Sequence, residues 1–326
     1  MLTNGNFNKK KVFTLILIFL LLVSIILSLI CGSTFLDVKN LFKNNDEGFT
    51  RLLFIQIRLP RTLLALLTGS LLSMSGAVFQ MYFRNPLAEP GVMGISSGAT
   101  LGAVIASCIF IPVTIGAFFG ALVAGLLVTF AGSGKTKFSS TIALLLCGTA
   151  LGTFYSAVTS ILLSINSSRL QSMYIWMMGS FSGRSWEDFI FILIPSFFSV
   201  LFMILCSGQL DLLSGGEVSA KSLGVNIKAL RFYVILCGAF ASCAACCAGG
   251  TIGFVGLIAP HIVRQFAFSR QKDLLPLSML MGSIITLLAD LLSRVVIRPA
   301  ELPVGTITAL IGAPFFISIL FTGRKN

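Results

Sequence analysis

Few side chains in this 326-residue chain have types and spacing that could do chemistry, and most of those sit where another use is simpler. Cys243, Cys246 and Cys247 have the spacing of metal ligands. They lie, however, in Ala-Ser-Cys-Ala-Ala-Cys-Cys-Ala, where thiols pack as small apolar groups. No metal site and no disulfide framework is expected from the eight cysteines. Ala131-Gly-Ser-Gly134-Lys135-Thr136 has the outline of a phosphate-binding loop, but the full pattern needs glycine where the chain has Thr129, and no strand precedes it. Neither catalysis nor a resident cofactor is expected. The remaining candidates are charged. Arg58-Leu-Pro60-Arg61 sets two guanidinium groups three residues apart with a proline starting a helix, so that both point the same way. Such a pair suits bidentate capture of carboxylates or snorkelling to lipid phosphates. Asp290 lies in an apolar run, where an unpaired acid is costly, and Arg294 one turn on is its expected partner.

The elements that must position these groups are membrane spans. Hydrophobic residues make up 56% of the chain and charged residues 10%, against roughly 25% charged in a soluble domain. A span needs about 20 apolar residues to cross a core of about 30 Å. Ten such segments are expected near 12–31, 62–82, 91–111, 113–131, 139–165, 188–207, 229–250, 251–268, 275–293 and 303–322. Ten spans divide the 23 lysines and arginines 14 to 9, with the larger share on the side of the termini. The positive-inside rule then places both termini in the cytosol, and the net charge of +12 needs no nucleic-acid partner. Lys9-Lys10-Lys11 and the apolar run after them read as an uncleaved first span rather than a signal peptide, and the residues before Cys31 are too large for lipoprotein processing.

Within this frame the longest interior polar island is 207–231. Leu212-Leu213, then Val218, Leu223 and Val225, recur among Glu217, Lys221 and Lys228, predicting two short amphipathic helices broken at Gly215-Gly216 and Gly224. These offer either a docking surface to a soluble partner or a helix pair resting on headgroups. Gly94, Gly98 and Gly102 form a stripe for close helix packing, and Asn85-Pro86 and Glu89-Pro90 punctuate a cytosolic turn. Tyr174, Trp176, Gly179, Gly183 and Trp186 mark a short interfacial helix and turn.

Several longer motifs carry a resemblance. Arg58-Leu-Pro-Arg61, Asn85-Pro-Leu-Ala-Glu-Pro90, Gly94-Ile-Ser-Ser-Gly-Ala99, Gly253-Phe-Val-Gly-Leu-Ile-Ala-Pro-His261-Ile-Val-Arg264, Ala289-Asp290, Glu301-Leu-Pro-Val-Gly305 and Gly312-Ala-Pro-Phe315 are similar to the FecCD/BtuC-like permease family of iron-siderophore, haem and cobalamin ABC importers. The resemblance implies an all-α, polytopic, BtuC-like permease of about ten spans, a single domain over 1–326, in the bacterial cytoplasmic membrane. It implies a second permease copy or a close relative enclosing one path, two cytosolic ATPase subunits, and an extracytoplasmic binding protein that delivers the chelate. By the same resemblance, Arg58, Arg61 and Arg294 match docking arginines for that protein, with Arg298 added on position alone. Residues 207–231 match the coupling segment, with Gly216, Glu217, Ala220, Leu223 and Gly224 transmitting ATPase motion. Trp176, Gly179 and Gly183 belong to a possible outward gate. His261, the only histidine, is read as a structural cap rather than a haem ligand. Two readings from other classes remain. An ion-coupled secondary transporter predicts embedded carboxylates or broken helices, of which Asp290 is the only clear instance in sequence. A scaffold without transport leaves the outward arginines and the inward island unexplained.

Overall fold

The computed structural model describes residues 3–32, 49–83, 85–133, 140–166, 170–266, 268 and 270–322. Gly134 and Lys135 of the phosphate-loop candidate, Asp37, Asp46 and Glu47 lie outside these. Among the described residues every regular element is helical. The helices are α1 (Thr3–Ile30), α2 (Leu59–Tyr82), α3 (Ile95–Cys108), α4 (Val113–Ser133), α5 (Ser140–Ile165), α6 (Leu170–Met177), α7 (Trp186–Ser214), α8 (Glu217–Ser222), α9 (Ile227–Gly249), α10 (Val255–Gln265), α11 (Gln271–Val295) and α12 (Val304–Thr322). Ten correspond in order to the expected spans. Seven described helices are long and apolar enough to cross a membrane, and α3 and α12 are shorter apolar helices.

The tenth departs from expectation. The apolar run 251–268 forms only the 11-residue α10, about 16 Å long and half of a bilayer core. The chain from Gly250 to Phe254 is unwound: Gly250 has φ +73° and a Cβ there would strike the Trp176 carbonyl, while Phe254 also has positive φ. Continuous hydrophobicity in sequence concealed this break.

Helix α2 is the hub. Nearly its whole circumference is buried, and it packs on α7, α9, α10 and α11. The small residues explain how so many neighbours fit. A Cβ on Gly69 would collide with the Gly282 carbonyl of α11, and one on Gly76 with the Gly256 carbonyl of α10. Two of the three glycines of the expected stripe work the same way, Gly98 and Gly102 seated against Gly116 and Gly120 of α4, whereas Gly94 precedes α3 in a left-handed conformation and faces the Gly148 carbonyl of α5. All eight cysteines are free, and Cys243 donates its thiol proton to the Phe118 carbonyl, a packing role.

Functional polarity separates the molecule into two ends. At one lie the C-terminal end of α1, Arg58, Arg61, Arg294 and Glu301. At the other lie the N-terminal part of α1, the junction of α7, α8 and α9, and the start of α11. Here Lys10 reaches Asp273 at 2.6 Å, and Asp211 of α7 accepts the Gln271 amide at the first turn of α11 at 2.5 Å.

Candidate functional site

At the first end the arginines form a network rather than an open fork. Arg61, 6% exposed, donates through Nε and Nη2 to Asp290 Oδ1 at 3.0 and 2.9 Å, and through Nη1 to both Glu301 oxygens at 3.1 and 2.9 Å. Arg294 pairs with Asp290 Oδ2 at 2.9 Å, as the four-residue spacing predicted. It also donates to the Ser28 and Cys31 carbonyls that end α1. Arg58 is buried and donates to the Leu29 and Ile30 carbonyls at 2.9 and 2.6 Å. The expectation that Arg58 and Arg61 point the same way is therefore corrected. Residues 53–58 wind as a π-helix before α2 begins at Leu59, and that change of winding sends Arg58 to α1 and Arg61 to α11. Arg298 is partly exposed.

The island at the other end is also built differently from the expected helix pair. Helix α7 runs on to Ser214, so Leu212-Leu213 belong to the span, and only α8 is a separate short helix. Gly216 and Gly224, with φ of +115° and +84°, bracket it, a backbone that side chains rarely adopt. Ala220, expected to face a partner, is 0% exposed and belongs to the same apolar cluster as Leu210, Leu213 and Leu230. The face left open carries Val218 at 85% and Leu223 at 65% exposure. A six-residue helix has fewer than two turns, so one side must seal against α7 and α9, and the smallest residue takes it.

Three irregular segments, after α6, after α9 and before α12, meet one another. Ser180 donates its amide to the Gly249 carbonyl at 2.8 Å, and Val304 donates to the Gly179 carbonyl at 2.7 Å. Thr251 donates its hydroxyl to the Met177 carbonyl. Gly179 has φ +79°, and a Cβ on it would press on the Thr251 carbonyl at 2.7 Å. Trp176 is buried in this junction, whereas Gly183 faces open space. His261 stacks edge-on to Phe315 of α12 and lies 3.2 Å from Gln265, consistent with packing at the end of α10.

A further acid lies at the break before α10. Glu89 reads in sequence as turn punctuation, but its Oε1 accepts the Phe254 amide at 2.8 Å at the start of α10. It borders a cavity of about 210 Å³ with Ser96, Ser242 and Thr251. The carboxylate thus caps a half-helix where free amides and the helix dipole favour an anion. A Glu-Pro in a turn gives no local sign of this, since its partner lies 165 residues away.

Taken together, a buried small-residue hub, spans in the expected order and broken segments inside define a polytopic membrane permease. The comparisons with known proteins agree. The family model described as the FecCD transport family matches residues 20–322, so the chain belongs to that family. It is 39% identical over 292 residues to a Helicobacter pylori protein named as an iron chelatin transport system permease, covering 89% of each chain. It is 38% identical to the vitamin B12 import system permease of Klebsiella pneumoniae, covering 94% of this chain and 92% of that one. A solved structure described as an inward-facing metal-chelate type ABC transporter superposes with a TM-score of 0.84 at 34% identity, over 96% of this chain and 99% of that one. Fold and class are thus those of an ABC importer permease.

Proposed function

We propose that this chain is the membrane-spanning subunit of an ATP-driven importer of iron chelates, an iron-siderophore first, with haem or cobalamin as the other cargoes of the family. Two permease copies enclose the path in the bacterial cytoplasmic membrane, with both termini in the cytosol. Cytosolic ATPase subunits seat on α8, and an extracytoplasmic binding protein docks at the arginine end. The observation that carries this is α8 and its end: Val218 on the helix and Leu223 at its C-cap are strongly exposed apolar side chains between positive-φ glycines. Such a knob favours a partner over water. Of the residues expected to transmit ATPase motion, Leu223 is exposed and joins Val218 in the contact, buried Ala220 seats α8, and Gly216, Glu217 and Gly224 set the ends of the lever. Trp176, Gly179 and Gly183 remain the proposed gate, since their turn is bonded to the start of α12 and to the break after α9. Proteoliposomes containing the permease, its ATPase and its binding protein should accumulate radiolabelled ferric chelate only with ATP inside the ATPase compartment. Uptake without ATP would overturn the reading. The ion-coupled alternative gains one observation, the embedded Glu89 beside a broken helix. Uptake driven by a proton or sodium gradient alone is its test.

A further inference from the structure

We propose that Glu301 stands in for a carboxylate of the docking partner: it holds the outward side of Arg61 in the free permease and yields it when the binding protein arrives. The proposal rests on the functional reading above, in which an acidic surface of that protein meets the arginine end. Its basis is the unequal grip on Arg61. Asp290 has no exposed side-chain surface, binds two nitrogens of Arg61, and is held on its other oxygen by Arg294. Glu301 binds a single nitrogen, its side chain is 26% exposed, and it lies on the short connection to α12. An ion pair open to water is weak and exchangeable, while one sealed from water is expensive to break.

Exchange also answers an energetic difficulty. Arg61 and Arg294 are too buried to wait for a partner unpaired, and a bare buried cation is strongly unfavourable. With Asp290 fixed, swapping one carboxylate for another keeps the second face of Arg61 paired as well. Among the described residues, Arg58, Arg61 and Arg294 stand against Asp290 and Glu301, so the cluster keeps an excess positive charge that attracts an acidic surface. Departure of Glu301 raises that excess just as the partner's carboxylate enters.

The swap has a mechanical consequence. Leu302, next to Glu301, donates its amide to the Ser293 carbonyl, and Val304 donates to Gly179. Gly305 lies so close to the Met178 carbonyl that it has no room for a Cβ. Freeing Glu301 therefore loosens a connection that runs from the arginine cluster to the turn after α6, where the gate is proposed.

The experiment uses the full permease–ATPase complex in nanodiscs and its binding protein, with affinity read by biolayer interferometry. Glu301→Gln removes the competitor and should tighten docking by about two- to five-fold, the worth of one partly exposed pair, while Arg61→Gln weakens it. Unchanged or weaker binding by Glu301→Gln overturns the proposal and makes Glu301 a strut or a direct contact. Size-exclusion profile and thermal unfolding report whether the variant is folded. Should it not fold, hydrogen exchange on the wild-type complex decides: amides of Leu302 and Val304 must exchange faster after docking, and protection there overturns the exchange. If the wild-type complex binds no extracytoplasmic protein, it is the functional reading that fails.

Discussion

The two ends of this permease handle exposure in opposite ways. At the arginine end, charges that a sequence would place on a docking surface are drawn inward and paired, Arg61 and Arg294 on Asp290 and Arg58 on the end of α1. At the island end, the residues a sequence would bury, Val218 and Leu223, are left uncovered and the smallest residue is sealed. At the first end the buried donors are held by acceptors inside the chain, with Glu301 the most exposed of them, and at the second α8 is bracketed by two positive-φ glycines. Residue type alone does not announce a contact surface. What counts is whether the side chain's bonding capacity is already met inside the chain.

The largest effect should come from removing the anion that closes the first end. Asp290→Asn leaves Arg61 and Arg294 short of a counter-charge in a dry site, a loss of about 3–5 kcal/mol, visible as a large drop in the detergent-solubilised melting temperature. A loss under about 1 kcal/mol would show that water reaches the network and would erase the contrast between the ends. At the other end two substitutions should part company. Ala220→Arg forces a long charged chain into the seat of α8, costing about 1–3 kcal/mol, and should expose 214–226 to limited proteolysis. Val218→Asp with Leu223→Asp should leave the melting temperature nearly unchanged, as surface substitutions do, yet abolish ATPase co-purification. Equal proteolysis of both variants would mean α8 has no sealed side. The smallest effect belongs to Arg298→Glu, whose partly exposed position predicts a weakening of binding-protein affinity by roughly 0.2–1 kcal/mol per subunit, seen as a shallower salt dependence between 0.1 and 1 M. No change at any salt would take Arg298 out of the docking surface.

The order of the spans, the small-residue stripe of α3 and the Asp290–Arg294 pair were legible in sequence because each is a local regularity: an apolar length, a four-residue repeat, a helical turn. What was not legible depends on distant chain. Arg61 finds Asp290 and Glu301 at separations of 229 and 240 residues. The orientation of Ala220 is set by where α7 and α9 lie. Glu89 caps a helix that the apolar run 251–268 gave no reason to break.

That break bears on how the chain enters the bilayer at all. Helix α10 is half a span long, carries His261 and Arg264, and follows an irregular stretch at 251–253. Presented alone to a translocon, such a segment would partition poorly, for lipid offers no partners to its exposed amides and carbonyls. Its partners are side chains and carbonyls of helices made earlier: Glu89 for the Phe254 amide, Gln80 for the Gly256 carbonyl, and Gln80 again for the Arg264 guanidinium. Here biogenesis must run in order, with α2 and the turn after it in place before α10 can settle, so that insertion and tertiary folding become a single event.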